Sequence, residues 1–247
     1  MMSMNRTADP TTAESMPLPG ARAGRDPSRA LKRGPSRLPP EVVAATQRDR
    51  LFDALVHTVA AKGYANARVS DICQAAGVTR PAFYALFDGK EDAFLATYRH
   101  GISMLLGLME AAHREAPDWR ASARATLSVM LNALASVPDF ARMAIVEVDS
   151  AGPAARHERD SLIGRFGEFF ADAPMRDPAP AREDLATAVV GGIYCIVYRH
   201  VAAGRVAQLP EMLPSLTYFV LVPFLGREEA AREWGGEPGP ADLARVP

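Results

Sequence analysis

The chain has 247 residues, 48% of them hydrophobic and 23% charged, with a formal net charge of −1. That length and apolar content allow one large or two modest packed domains, and the near-zero charge excludes a uniformly basic nucleic-acid binder or an acidic tail protein. Cys73 and Cys195 are the only cysteines and form no CxxC, which argues against a disulfide framework and for a reducing, cytoplasmic setting.

Residues 1–38 are rich in Pro, Gly, Ser, Ala and Arg and poor in large apolar side chains. Such a segment buries too little surface to offset its ordering entropy, so it reads as a disordered arm without a signal-peptide core. Seven basic residues against Asp9, Glu14 and Asp26 give it a balance of +4. It is either a solvated tail or an arm that touches DNA phosphates.

From Pro39 the pattern turns helical. Leu51, Leu55 and Val59 recur at spacing four, with Phe52 and Val56 on the adjoining row, one stripe of an amphipathic helix that ends near Gly63. A second helix is expected over about Val69 to Ala76, a third over about Arg80 to Phe87, and a fourth opening near Gly89-Lys90-Glu91. Between the second and third, Gly77 suits an open or left-handed turn. Thr79 suits an N-cap, and Pro81 suits a first turn, where its missing amide proton costs little. Ile72, Val78, Phe83 and Phe87 then point inward and Thr79, Arg80, Ala82 and Tyr84 outward, which is a helix-turn-helix whose second helix could meet base edges. The charge balance over residues 39–95 is −1, from six basic and seven acidic residues, so binding rests on local placement of a few cations or on the arm.

Residues 98–226 read as an all-helical region, with helices over Tyr98 to Ala112, Asp118 to Ala135, Pro138 to Val148, Pro153 to Ala171, Arg182 to Val201 and Pro210 to Leu225. Their breaks carry Pro, Gly or a capping Asp. Residues 227–247 form a C-terminal tail. The longest uncharged apolar stretch, Leu185 to Tyr198, falls short of a membrane span of about 18 residues.

The stretch "VSDICQAAGVTRPAFYALFDGKEDAF" resembles the signature of the tetracycline-repressor (TetR-like) transcriptional regulators. Ile72, the "AAGV" turn, Tyr84, Phe87, Lys90-Glu91 and the upstream "AAKGY" carry the resemblance, over some fifty residues. It implies an all-α protein: an N-terminal three-helix DNA-binding domain (residues 39–97) joined to a helical ligand-binding and dimerisation domain (98–226). By position it places Thr79, Arg80 and Ala82 at bases, and Ser70, Tyr84, Lys90 and Arg68 at phosphates. Arg68 stands where the family usually has a capping Thr.

In the second domain Met104, Met143, Glu147, Phe169 and Tyr194 are candidates for an effector pocket, with core packing or an arginine partner for Glu147 as the alternatives. "LATAVVGGIYCIVYRH" and "MLPSLTYFVLVPFL" are apolar around most of their circumference and need burial on more than one side. The expected burial is in a homodimer through Val189, Gly192, Ile193, Ile196, Tyr218 and Leu221. The five histidines have no metal-ligand spacing, and no nucleophile elbow, phosphate loop or dinucleotide motif occurs. The sequence therefore points to a homodimeric repressor that binds a palindromic duplex and is released by an apolar or amphipathic small molecule, with no catalytic residue, metal or cofactor. The alternatives are a ligand-independent DNA-binding activator or organiser and, last, an enzyme with an incidental helix-turn-helix.

Overall fold

The structure, a computed structural model, describes residues 17–29, 39–175 and 181–232. The described residues contain helices and turns and no strand. The parts of the expected arm at residues 1–16 and 30–38, and of the expected tail at 233–247, lie outside them.

Three helices make the head: α1 (Pro40–Lys62), α2 (Val69–Ala76) and α3 (Arg80–Tyr84). Their core is the one the spacing predicts, with Leu51, Leu55, Val59, Ile72 and Phe83 each at most 1% exposed. Helix α4 (Lys90–Glu115) starts in this core, where Phe94 meets Tyr64 edge-on at 5.2 Å. It continues unbroken into the second domain. The sequence boundary at residue 97/98 therefore falls inside a rigid rod rather than in a linker, because no Gly-Pro break interrupts the helical register there. The one glycine nearby, Gly101, is buried against α6: a β-carbon on it would lie 2.2 Å from Phe140 Cε2.

The second domain consists of α5 (Trp119–Ser136), α6 (Pro138–Ile145), α7 (Pro153–Phe166), α8 (Arg182–Ala202), α9 (Leu213–Leu225) and the short α10 (Arg227–Ala231). Asp118 caps α5, its carboxylate accepting the Ala121 amide at 2.8 Å. Helix α8 is long and apolar enough to cross a membrane by length and composition, with a mean hydropathy of 1.4 over its most apolar window, more than the sequence reading allowed. It packs against α6, α7 and α9, yet only 33% of that window is buried.

Residues 17–29 differ from the disordered arm expected of them. They form a strap along α1. Leu18 is 7% exposed, and a β-carbon on Gly20 would lie 2.5 Å from Val56 Cγ1 and 3.5 Å from Val137 Cγ1. Composition alone suggested disorder because the strap offers little apolar surface. What holds it is polar and steric: small residues that fit closely and one buried acid beneath them.

Candidate DNA interface and effector cavity

The turn between α2 and α3 has the backbone its sequence calls for. Gly77 is left-handed, at φ 61° and ψ 37°, and its amide closes the last turn of α2. Thr79 is extended, and its hydroxyl accepts the Ala82 amide in a long 3.4 Å bond, leaving its own proton free to donate outward. At α2 no side chain takes the place of the missing capping hydroxyl, and only the reciprocal bond forms: Asp71 Oδ2 accepts the Arg68 amide at 3.3 Å and pairs with Lys62 Nζ at 2.9 Å. Thr79, Arg80, Tyr84 and Arg68 are exposed, while Ser70 and Ala82 are half-buried at the edge of the same face. Lys90 is placed differently. Its ammonium donates to the Tyr64 carbonyl at 2.7 Å and lies 4.1 Å from the Tyr64 ring centre, so it fastens the end of α1 to the start of α4. Burial lowers its pKa from the ordinary lysine value. Cys73 is buried beside this core, and burial pushes its thiol up, away from thiolate chemistry.

The strap brings further cations to the turn. A β-carbon on Gly77 would lie 2.8 Å from Arg50 Nη2 and 3.1 Å from Arg25 Nε. Arg50 Nε also donates to the Gly24 carbonyl at 3.1 Å. Three arginines and one aspartate give residues 17–29 a balance of +2 beside a head that is otherwise near neutral.

Three polar ties join the head to what surrounds it. Asp53 of α1, 5% exposed, accepts the Gly20 amide at 2.7 Å and pairs with Arg29 Nη2 at 2.6 Å. Burial pushes its carboxyl up, and the Gly20 amide and Arg29 pull it back only in part. His57 of α1 bridges both domains, with Nδ1 2.7 Å from Asp139 Oδ2 of α6 and Nε2 2.9 Å from the Arg22 carbonyl. Both ring nitrogens face acceptors, which the imidazolium alone can satisfy. Burial opposes that charge, but the two bonds and the Asp53 and Asp139 carboxylates outweigh it and raise the His57 pKa. Glu147, 8% exposed, accepts the Tyr64 amide at 2.8 Å.

In the second domain a cavity opens between α4, α5, α7, α8 and α9, with about 620 Å³ of space including its mouth. Its walls are apolar and aromatic: Trp119, Met130, Phe166, Phe169, Phe170 and Ile193. The aromatic wall is braced from behind, where Trp119 meets Phe224 edge-on at 5.2 Å and donates Nε1 to the Phe169 carbonyl at 3.2 Å. Polar atoms are few, chiefly His113, Ser122, Thr126 and the Tyr194 hydroxyl, which donates to the Ile145 carbonyl at 3.2 Å. The lining, apolar and aromatic with a few polar atoms, is that of a small-molecule site.

Residues 51–97 match the family model described as bacterial regulatory proteins, tetR family. This segment covers the whole turn and the start of α4. Residues 51–97 are thus a DNA-binding segment of the tetR type. No curated protein matches it. Among solved structures it is similar to the fatty acid degradation regulator FadR of Bacillus halodurans, with 18% identity over 70% of this chain and 97% of that one and a TM-score of 0.64. It is also similar to FadR of Bacillus subtilis in complex with stearoyl-CoA, with 18% identity, 71% and 97% coverage and a TM-score of 0.63. A TetR-like regulator of Rhodococcus sp. RHA1 follows, with 20% identity, 75% and 99% coverage and a TM-score of 0.56. At such identities these structures establish the shared fold.

Within this TetR-type fold the residues expected at the pocket divide. Phe169 and Tyr194 line the cavity. Met143 does not: it is fully buried in the core of α6. Glu147 is committed to the Tyr64 amide, with Arg142 Nη2 at 3.5 Å, close to the arginine-paired alternative. Met104 faces a separate groove beside Leu18 of the strap. The sequence reading missed Trp119, Ser122 and Thr126, although small hydroxyls four apart on the buried side of a helix were a usable signal.

The expected dimer residues divide too. Val189, Ile193 and Leu221 face inward and are 2%, 9% and 0% exposed within one chain, so they do not form an outer face. Ile196 and Tyr218 are half-buried, and Gly192 lies under the Phe219 ring, where a β-carbon would come within 2.8 Å. The outward apolar surface instead runs along Ala188, Gly191 and Cys195 of α8 and Phe219 and Pro223 of α9. An all-round apolar helix gives periodicity nothing with which to choose between these faces.

Proposed function

We propose that the chain is a homodimeric, cytoplasmic repressor whose hold on a palindromic operator is released when an apolar or amphipathic molecule enters the cavity. The observation that carries this reading is α4. One end of it lies in the head core at Phe94 and the other forms a cavity wall at Met109 and His113. A rod of 26 residues spans about 39 Å and transmits a displacement at one end to the other. Thr79, Arg80 and Ala82 serve as base-reading positions, and Ser70, Arg68 and Tyr84 face the flanking phosphates, with Arg25 of the strap beside them. The stearoyl-CoA bound to the Bacillus subtilis FadR supports an effector with a long apolar part. The outward face of α8 and α9 pairs with its copy, which sets the two heads about one DNA turn or more apart.

The test begins with duplex fragments selected by the purified protein and measures their affinity with and without stearoyl-CoA and shorter acyl chains. The expected result is operator affinity that falls as a ligand saturates the cavity. A ligand that binds and leaves operator affinity unchanged would favour the ligand-independent activator or organiser.

A further inference from the structure

Thr126 departs from the other buried and half-buried helical threonines among the described residues. Thr46, Thr58, Thr97 and Thr217 each sit within a helix and donate their hydroxyl to the carbonyl four residues back, at 2.6–2.8 Å. That bond is the usual refuge of a helical threonine. Thr126 is 6% exposed and lines the cavity, but its Oγ1 has no hydrogen-bond partner among the described residues. One turn earlier Ser122, on the same wall, shares a hydrogen bond with His113 Nδ1 and is satisfied. A buried hydroxyl without a partner is costly and uncommon in folded proteins. Here it stands on the apolar wall of the cavity.

The one side chain on the same wall that can take up a charge is His113, whose Nδ1 is engaged by Ser122. Among the described residues lining the cavity there is no Asp, Glu, Lys or Arg. A carboxylate or ammonium drawn inside would lose its hydration without a counter-charge, which is far costlier than burying a neutral polar group that gains one hydrogen bond. The Phe166, Phe169 and Phe170 rings favour flat or extended apolar surface.

We propose that Thr126 is the polar reading point of the cavity. The occupant is an apolar molecule carrying one uncharged oxygen, a ketone, ester, thioester or amide carbonyl, that accepts the Thr126 hydroxyl proton. Any charged group on that molecule remains at the mouth. This inference rests on the cavity being the effector site and adds the chemical class that the site selects.

Four probes of one skeleton test it by calorimetry on the full-length protein without DNA: butyrophenone, butylbenzene, 4-phenylbutanoate and 4-phenylbutylammonium. Wild type is expected to bind the ketone about tenfold more tightly than the hydrocarbon, the size of one hydrogen bond in a closed site. The two ions should bind more weakly than either. Thr126→Val keeps the shape and removes the hydroxyl, so it should close the gap between ketone and hydrocarbon while still binding the hydrocarbon. Thr126→Ser should restore the gap. The valine variant gives up an unsatisfied polar atom, so its unliganded melting temperature should not fall. A gap that survives in Thr126→Val, equal binding of ketone and hydrocarbon to wild type, or tightest binding of an ion would overturn the assignment of Thr126 and leave the effector site standing. Failure of all four probes to bind wild type would overturn the effector site and this inference together.

Discussion

Asp53→Ala tests whether the strap is a structural part of the head. Asp53 is 5% exposed and has Arg29 at 2.6 Å and the Gly20 amide at 2.7 Å. Removing one partner of such a buried pair typically costs about 3–5 kcal/mol, since a guanidinium and an amide are left without their acceptor. The strap, however, is a chain end that can detach and let water solvate Arg29. The loss therefore cannot exceed the free energy with which the strap is docked, and the low end, about 3 kcal/mol, is the expectation. In a chain beginning at residue 30, Asp53 has neither partner, and the same substitution should cost under about 1 kcal/mol, as for an ordinary solvated position. Urea denaturation of the four proteins completes a cycle whose coupling should be at least about 2 kcal/mol. Trypsin should cut the intact chain after exposed Arg25 faster in Asp53→Ala than in wild type. Equal costs in the two backgrounds, with unchanged cleavage, would refute the reasoning and make the buried acid a property of α1 alone.

Arg80→Ala should cost about 1–3 kcal/mol of operator binding and relax preference at one position per half-site, whereas Arg25→Ala should weaken all sequences alike and lower the salt slope by about one ion per head. Titrations across site variants at several salt concentrations separate the two, and uniform loss for Arg80→Ala would reassign it to phosphate. His57 has a raised pKa in the folded state, so its tie to Asp139 contributes fully below about pH 6.5 and is lost as pH rises through the folded value. Thermal melts should lose stability across that window in wild type and not in His57→Gln; parallel profiles would remove the tie from the pH response. Gly191→Arg should turn the dimer into a folded monomer with weak operator binding, because Gly191 is exposed and no atom lies within 4 Å of a β-carbon placed there. Sedimentation at low micromolar concentration reads it, and an unchanged dimer would place the interface elsewhere.

The head was legible because its determinants are local. Gly77, Thr79 and Pro81 each have one conformational reason to stand where they do, and neighbours a few residues away supply the rest. Arg68 offers α2 no capping hydroxyl, as its sequence implied, and Asp71, three residues on, ties down only the Arg68 amide. The strap was illegible from its own composition, and its trace lay in α1. Asp53 interrupts a run of buried positions from Leu51 to Val56, and a carboxylate there requires partners from outside the helix. Glu147 carried the same message, a charge in an apolar stretch, and sequence could not say whether a ligand or a backbone amide answered it. The cavity walls come from five helices distant in sequence, so no local pattern could assemble them.

The ties and the cavity lie on different helices, joined where Tyr194 of the cavity wall donates to the Ile145 carbonyl of α6, and this placement constrains how a ligand could act. His57–Asp139, Glu147 with the Tyr64 amide, and the strap fix the head against α6 and the turn that follows it. The cavity is bounded by α4, α5, α7, α8 and α9, and no residue of α6 lines it. A molecule that spreads α4 from α5 therefore displaces the far end of the rod while α6 continues to hold the head. The head can follow only by turning about those contacts. Gly101 sits at the crossing, where its missing side chain lets α4 approach Phe140 of α6 more closely than any other residue would. A ligand shifts the heads only by the difference in its affinity for the two positions of α4. The polar ties set the opposing term. Weakening one of them, through His57 or Glu147, should change the ligand concentration needed to release the operator without changing contacts to the ligand or the bases. An effector response unaltered by either substitution would mean that α4 moves the head without pivoting on α6.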